Sequence, residues 1–135
     1  MSIEFEYRQE VSPKGIIYRP VAKVALIGQN QRRVVEYLYI DSGADFTLIP
    51  YKIGLYLGLD AINRKVVEVQ GVNGVVGVIY HELIIEIEKY RFEIEVAWGQ
   101  MEHIPLLLGR HNVFDKFEII FREAEKRVIF NWWKG

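Results

Sequence analysis

Hydrophobic side chains alternate with polar ones in this chain, and a period of two residues is the spacing of a β-strand with one buried face. Residues 91–96 show the pattern well, because Phe92, Ile94 and Val96 alternate with charged side chains. Strand patterns also occupy residues 21–27, 34–40, 84–87, 117–121 and 128–130. Because these segments must pair to satisfy their backbones, we predict a mainly β fold.

Polar or glycine-containing segments separate the predicted strands and supply the chemistry of turns. Residues 28–31 connect one pair of strands, and residues 88–90 turn a second hairpin. Near the end of the sequence, residues 123–126 form the turn of a C-terminal hairpin at about 117–130. The sequence therefore predicts sheets built largely from hairpins.

Two segments break the strand rhythm and predict short helices. Residues 50–58 begin with a proline, end with a glycine and place Ile53 and Leu57 four positions apart, on one face of a helix. Residues 111–116 predict a second short helix, with Asn112 as its cap. The fold class is thus all-β with one or two short helices.

The composition limits the classes of function. With 135 residues, half of them apolar, we expect one domain over residues 1–135. The net charge of −1 gives no attraction to nucleic acid or to membranes, and the absence of cysteine excludes disulfides and thiol nucleophiles. Because no signal peptide and no membrane-spanning apolar run is evident, we expect a soluble protein and, by default, a cytoplasmic one.

Asp41 begins the first segment with catalytic potential. It follows the apolar end of a predicted strand and is followed by Ser42, Gly43, Ala44 and Asp45. A hydroxyl that bonds to the backbone and a glycine that permits close approach can hold a carboxylate rigidly. An ordinary Asx turn between two strands explains the same triplet equally simply.

A glycine-rich hairpin is predicted at about residues 69–80. Asn73-Gly74 lies between apolar runs, which is a strong signal for a two-residue turn. The tip contains Gly71, Val72, Asn73, Gly74, Val75, Val76 and Gly77. The glycines weaken the strands and add mobility, so the segment is either a mobile lid or a plain surface hairpin.

A third segment, residues 106–110, runs from three leucines into Gly109 and Arg110. The apolar triplet predicts a buried strand. If Arg110 is buried, it needs an anionic partner, and Asp45 is the natural candidate for a bidentate pair. An exposed or snorkelling Arg110 is the alternative.

Together the three segments resemble the retropepsin family, the retroviral-type aspartic peptidases. The matching features are Asp41 to Asp45, a glycine-rich hairpin some thirty residues further on, and Gly109-Arg110 after a leucine strand. The resemblance implies a closed, barrel-like β fold with one lobe per chain. It also implies a homodimer in which each chain supplies one catalytic Asp41 and one flap, formed by residues 69–80.

The resemblance implies a role for each of the other residues as well. Ser42 braces the two active-site loops, Gly43 offers its carbonyl to the substrate backbone, and Ala44 supports the same loop. Asp45 and Arg110 form a structural ion pair, and Gly109 precedes a helix. The substrate is a peptide or an unfolded protein, and the reaction needs no metal or other cofactor.

Several features depart from the viral pattern. His111 stands between Arg110 and Asn112, and about 25 residues follow Arg110. Trp132 and Trp133 are candidates either for interface anchors or for core or edge positions. The extra residues leave room for an alternative function, a peptide-binding or regulatory module that keeps the fold but hydrolyses little or nothing.

Other enzyme classes lack their motifs. The three serines are outside any G-x-S-x-G elbow, and the three histidines lack the H-E-x-x-H spacing of zinc sites. The glycine-rich segment is followed by neither Lys-Ser nor Lys-Thr, so it is not a phosphate-binding loop.

Overall fold

The computed structural model describes residues 2–71 and 74–133, most of which lie in strands. Within these ranges the elements follow the order β1 (Ser2–Glu6), β2 (Arg8–Ser12), β3 (Gly15–Arg19), β4 (Val21–Ile27), β5 (Arg33–Ile40), β6 (Thr47–Ile49), α1 (Tyr51–Tyr56), β7 (Val67–Gly71), β8 (Gly74–Ile87), β9 (Tyr90–Gly99), β10 (Leu107–Leu108), β11 (Phe117–Arg122) and β12 (Arg127–Trp132). A 3-10 turn, Glu123–Glu125, separates the last two strands. The predicted all-β class is confirmed.

Six strands form a closed barrel in the order β4, β5, β10, β6, β9 and β8, and the pairing of β4 with β8 closes it. Closure removes the free edges that an open sheet presents. Strand β8 is 14 residues long. Its second half pairs with β9 and β4 in the barrel, whereas its first five residues pair with β7 in a hairpin attached to the barrel.

Alternate side chains of the barrel strands fill the core, as the period of two predicts. On β9, Ile94, Val96 and Trp98 are buried, whereas Arg91 and Glu93 are exposed. The core also contains Leu26, Leu38, Ile49, Leu57, Ile79, Ile85, Ile87 and Leu108. Burying each large aliphatic side chain stabilises the fold by about 1.5–3 kcal/mol, so this core is the main source of stability.

A separate three-stranded sheet contains β1, β12 and β11, with β12 in the middle. Aromatic side chains connect this sheet to the start of β9, where the rings of Trp132 and Tyr90 stack with centroids 4.4 Å apart. Phe117 meets Trp132 edge to face at 5.1 Å. Trp132 therefore has a packing role inside the chain, whereas Trp133 is exposed.

Only one of the two predicted helices forms. Helix α1 confirms the first, with Pro50 just before it and Gly58 after it at a φ of 80°. Among the described residues, no helix has the length and apolar composition to cross a membrane.

The second helix, predicted over residues 111–116, is wrong, because these residues form turns. Asn112 has a φ of 66°, and this left-handed conformation interrupts a right-handed helix. Its side chain does not cap a helix but accepts a hydrogen bond from the backbone N–H of Glu95 at 2.9 Å. The segment is therefore anchored to barrel strand β9.

Candidate active site

Asp41 is the first residue after barrel strand β5, and three hydrogen bonds hold it. Its backbone N–H donates to the carbonyl of Leu108 at 3.0 Å. Its Oδ1 accepts from the N–H of Gly43 at 2.9 Å, and its carbonyl accepts from the N–H of Ala44 at 3.1 Å. The loop is thus an Asx turn. Such a turn fixes both the backbone and one carboxylate oxygen of Asp41.

Ser42 and Gly43 form the exposed tip of this turn. The φ of Gly43 lies outside the left-handed region, so the loop does not need glycine for that reason. A Cβ at Gly43 would lie 3.3 Å from Asp41 Oδ1. Glycine therefore serves here by permitting close approach to the carboxylate, as the sequence predicts.

The loop of residues 41–45 is tied to the segment that follows β10. Strand β10 lies between β5 and β6, running parallel to β5 and antiparallel to β6. Beyond it, the N–H of Arg110 donates to the carbonyl of Ala44 at 2.9 Å, and the N–H of His111 donates to the carbonyl of Asp45 at 2.7 Å. Backbone hydrogen bonds therefore hold both ends of the Asp41 loop.

Thr47 and Gly109 also connect these two segments. The backbone N–H of Gly109 donates to Oγ1 of the fully buried Thr47 at 3.1 Å. A Cβ at Gly109 would lie 2.3 Å from the carbonyl carbon and oxygen of Phe46, so only glycine fits. Sequence reasoning missed Thr47, although a hydroxyl between the apolar residues of a short strand was a usable signal.

Asp45 and Arg110 meet, but not as the bidentate pair expected for a buried arginine. Arg110 Nη1 lies 3.7 Å from Asp45 Oδ1, and the two side chains are 59% and 82% exposed. An exposed pair of this kind contributes about 0–1 kcal/mol. Arg110 is therefore exposed, which is the second of the two possibilities that the sequence left open. Backbone hydrogen bonds, rather than this ion pair, connect the two loops.

Strands β7 and β8 form an antiparallel hairpin in which Gly71 pairs with Gly74. Gly74 has a φ of 115°, which favours glycine, and it already belongs to the returning strand. Val72 and Asn73 lie outside the described residues, and with them most of the predicted Asn73-Gly74 turn. Val75 is exposed, and the hairpin joins the barrel where Val78 pairs with both Val67 and Gly99.

An aromatic group and a cavity adjoin the Asp41 loop. The ring of Phe46 lies 4.7 Å from that of Tyr80, on β8, and 4.8 Å from that of His111. The cavity beside it has a volume of about 530 Å³ and is lined by Asp45, Phe46, Arg110, His111, Asn112, Phe114 and Asp115. In residues 2–71 and 74–133, no group of three or more His, Asp or Glu side chains could hold a metal ion.

A polar cluster surrounds Tyr39, which lies two residues before Asp41. The Tyr39 hydroxyl donates to Glu10, which also accepts from Arg19 Nε at 3.0 Å. Arg8 Nη1 lies 3.5 Å from the same hydroxyl. The hydrogen bond from Tyr39 and the nearby arginines lower the pKa of Glu10, and that same bond, with burial, raises the pKa of Tyr39. The cluster attaches the β2–β3 hairpin to strand β5.

Two solved structures share this architecture. A retropepsin-like aspartic protease from Rickettsia conorii superposes with a TM-score of 0.66 and 18% sequence identity, covering 96% of this chain and 98% of its own. EIAV protease, complexed with the inhibitor HBY-793, gives a TM-score of 0.55 and 19% identity, covering 72% of this chain and 86% of its own. No family model and no curated protein sequence matches this chain.

The closed barrel and these two neighbours define the class: the chain has the retropepsin-like aspartic protease fold, with one lobe per chain. At identities of 18% and 19% the likeness is one of fold. Chemistry must therefore be argued from the residues of this chain.

Proposed function

We propose that this chain is an aspartic endopeptidase that works as a homodimer, with Asp41 of each copy forming the catalytic pair. The supporting observation is the hydrogen-bonded position of Asp41 at the end of a barrel strand, in a fold that the chain shares with aspartic proteases. One such loop per chain supplies one carboxylate. A second copy related by a two-fold axis would supply the other.

The chemistry follows from placing two carboxylates close together. At a separation of roughly 3 Å they cannot both ionise at low cost, so they share one proton, as aspartic peptidases in general do. The ionised Asp41 accepts a proton from water as that water attacks the peptide carbonyl. The protonated Asp41 donates a hydrogen bond to the carbonyl oxygen as negative charge develops there.

Other residues of the site would position these groups and the substrate. Ser42 and Gly43, at the exposed tip of the turn, would meet the partner copy and the substrate backbone. The hairpin at residues 69–80 would act as the flap, because its strands pair with each other beyond the barrel strands and it carries glycines at 71, 74 and 77. The substrate would be an extended peptide or an unfolded protein.

The direct test is cleavage of an unfolded protein at acidic pH by the wild type and by Asp41→Asn. Asparagine keeps an oxygen that can accept the Gly43 hydrogen bond, so the loop should survive while general-base catalysis is lost. We expect turnover to fall by at least about a thousandfold. The melting temperature should be unchanged, which separates loss of chemistry from loss of fold.

A matched control is Asp60→Asn, at an exposed carboxylate that also accepts a backbone N–H, from Ile62 at 2.9 Å. This variant should retain full activity. If the wild type binds an unfolded peptide but cleaves none, the chain is the binding module and the peptidase proposal fails. Full activity in Asp41→Asn would reject Asp41 as the catalytic residue.

A further inference from the structure

Three large apolar side chains are exposed on one face of the hairpin formed by β2 and β3. Val11 is 87% exposed, Ile16 57% and Tyr18 43%. Val11 pairs with Ile16, and Tyr18 lies opposite Gln9, so all three project from the same face. A two-stranded hairpin is marginally stable alone. A partner surface that covers this face would therefore stabilise it.

The opposite face of the hairpin is already occupied. It carries Arg8, Glu10 and Arg19, whose side chains contact Tyr39 on barrel strand β5. Polar and cation–π contacts therefore attach the hairpin to the barrel and leave its apolar face outward. This apolar face is consequently a permanent feature of the folded chain.

The hairpin is attached close to the proposed catalytic carboxylate. Tyr39 precedes Asp41 by two residues, so their Cα atoms lie about 7 Å apart. A standard interface covers about 800 Å² on each partner, which corresponds to a patch of about 16 Å radius. A two-fold contact that brings two Asp41 side chains together would therefore reach the hairpin.

Exchange of the middle strand of the three-stranded sheet is not available as an alternative way of joining two copies. Strand β12 is paired on one side with β1 and on the other with β11 of its own chain. It therefore has no free edge to offer a second copy.

We infer that the outer face of the β2–β3 hairpin, with Val11, Ile16 and Tyr18, is a dimer contact that binds a second copy of this chain. The inference rests on the proposed function, because a lone Asp41 makes an incomplete site. The hairpin would bury these side chains while it holds the two Asp41 loops in register.

Sedimentation equilibrium of the full chain tests the contact, with peptide cleavage measured on the same samples. Val11→Lys should raise the dimer dissociation constant at least tenfold, because it removes an apolar contact and places like charges across the two-fold axis. Val11→Ser, which adds no charge, should raise it several-fold. Specific activity should recover at high protein concentration in both variants, as mass action requires.

Ile62→Lys is the matched control, because Ile62 is 72% exposed and lies in the loop between α1 and β7. Its dissociation constant should stay within twofold of the wild-type value. The inference is overturned if Val11→Lys and Val11→Ser dimerise like the wild type, or if the wild type is monomeric at every concentration. An increase in KM at an unchanged dissociation constant also overturns it, because the hairpin would then bind the peptide.

The two proposals fail in different ways. If the hairpin variants dimerise normally and cleave peptides normally, only the assignment of this contact is wrong. If the wild type dimerises, Val11→Lys separates the copies and neither form cleaves any peptide, the contact stands and the peptidase function is rejected.

Discussion

The Asp41 loop and the β7–β8 hairpin are both glycine-containing connections at the barrel, but they are held in opposite ways. The loop of residues 41–45 is bonded through its backbone to Leu108, at the end of β10, and to Arg110 and His111 just after it. The hairpin beyond Val78 pairs its two strands with each other. One region is therefore fixed by its surroundings, and the other depends mainly on its own ladder.

This difference suits the chemistry proposed for each region. A carboxylate that must meet its twin at hydrogen-bonding distance needs a backbone that does not move. A flap must open to admit a peptide and close to exclude water, so it is drawn from the less stable parts of a fold. Glycine serves close packing in the first region, at Gly109, and turn geometry in the second, at Gly74.

Amide hydrogen exchange should show the largest contrast between the two regions. The amides of Asp41, Arg110 and His111 should exchange only through global unfolding, which costs about 5–15 kcal/mol in typical domains. The amides of residues 74–77 should exchange through local opening, orders of magnitude faster. Equal protection of the amides in the two regions would contradict the proposed difference in how they are held.

Gly109→Ala should be the most damaging substitution in the Asp41 region. Its Cβ would overlap backbone atoms of Phe46, which cannot rotate away. We expect a loss of at least about 1–3 kcal/mol in the free energy of unfolding, measured by urea denaturation. The paired variant is Gly77→Ala, whose Cβ meets a methyl group of Val66 at 3.0 Å. A larger loss in Gly77→Ala than in Gly109→Ala would contradict this account.

Thr47→Val should remove the acceptor for the Gly109 N–H while preserving side-chain shape. Leaving that buried donor unsatisfied should cost about 1–3 kcal/mol. Thr47→Ser keeps the hydroxyl and should retain the hydrogen bond, with a smaller loss from the missing methyl group. Urea denaturation of the two variants separates the hydrogen bond from the packing. A Thr47→Val variant as stable as the wild type would show that this bond contributes nothing.

The β2–β3 hairpin is held in a third way, by side-chain contacts. Removing one of these contacts should have the smallest effect on stability, and that effect should depend on pH. The pKa of Glu10 is lowered from its ordinary value of 4.5, chiefly by the hydrogen bond from Tyr39. Its contribution to stability is therefore complete above pH 4.5 and is lost as the pH falls through the lower folded value. Glu10→Gln should flatten this part of the stability–pH curve, and an unchanged curve would contradict the assignment.

Alternation in the sequence predicted the strands and their hairpins, because it reports directly which face of a strand is buried, whereas the closed barrel was implied only by the resemblance to retropepsins. It did not predict β1, β2 and β3, and no residue of β2 or β3 is fully buried. The helix expected at residues 111–116 failed because Asn112 takes a left-handed conformation to bond Glu95 on β9. That bond joins distant parts of the sequence, and local pattern cannot reveal it.

In the candidate site, too, the local sequence predicts some features, and others depend on contacts between distant residues. The motif residues Asp41 and Gly43 were identifiable because a short loop carries its own turn chemistry. The contact between Thr47 and Gly109 spans 62 positions in sequence and needed the barrel to bring β6 and β10 together. Arg110, whose burial the sequence left open, is exposed, and backbone hydrogen bonds connect its loop to residues 44–45.

Subunit mixing tests the central claim most directly, because it asks whether two copies share one active site. Wild-type chain is combined with increasing amounts of Asp41→Asn under conditions that allow exchange, and peptide cleavage is measured per wild-type chain. If only dimers with two carboxylates are active, random pairing predicts about one half of the original activity in an equal mixture and about one tenth with a ninefold excess of variant. Activity per wild-type chain that stays constant at every ratio would contradict the account.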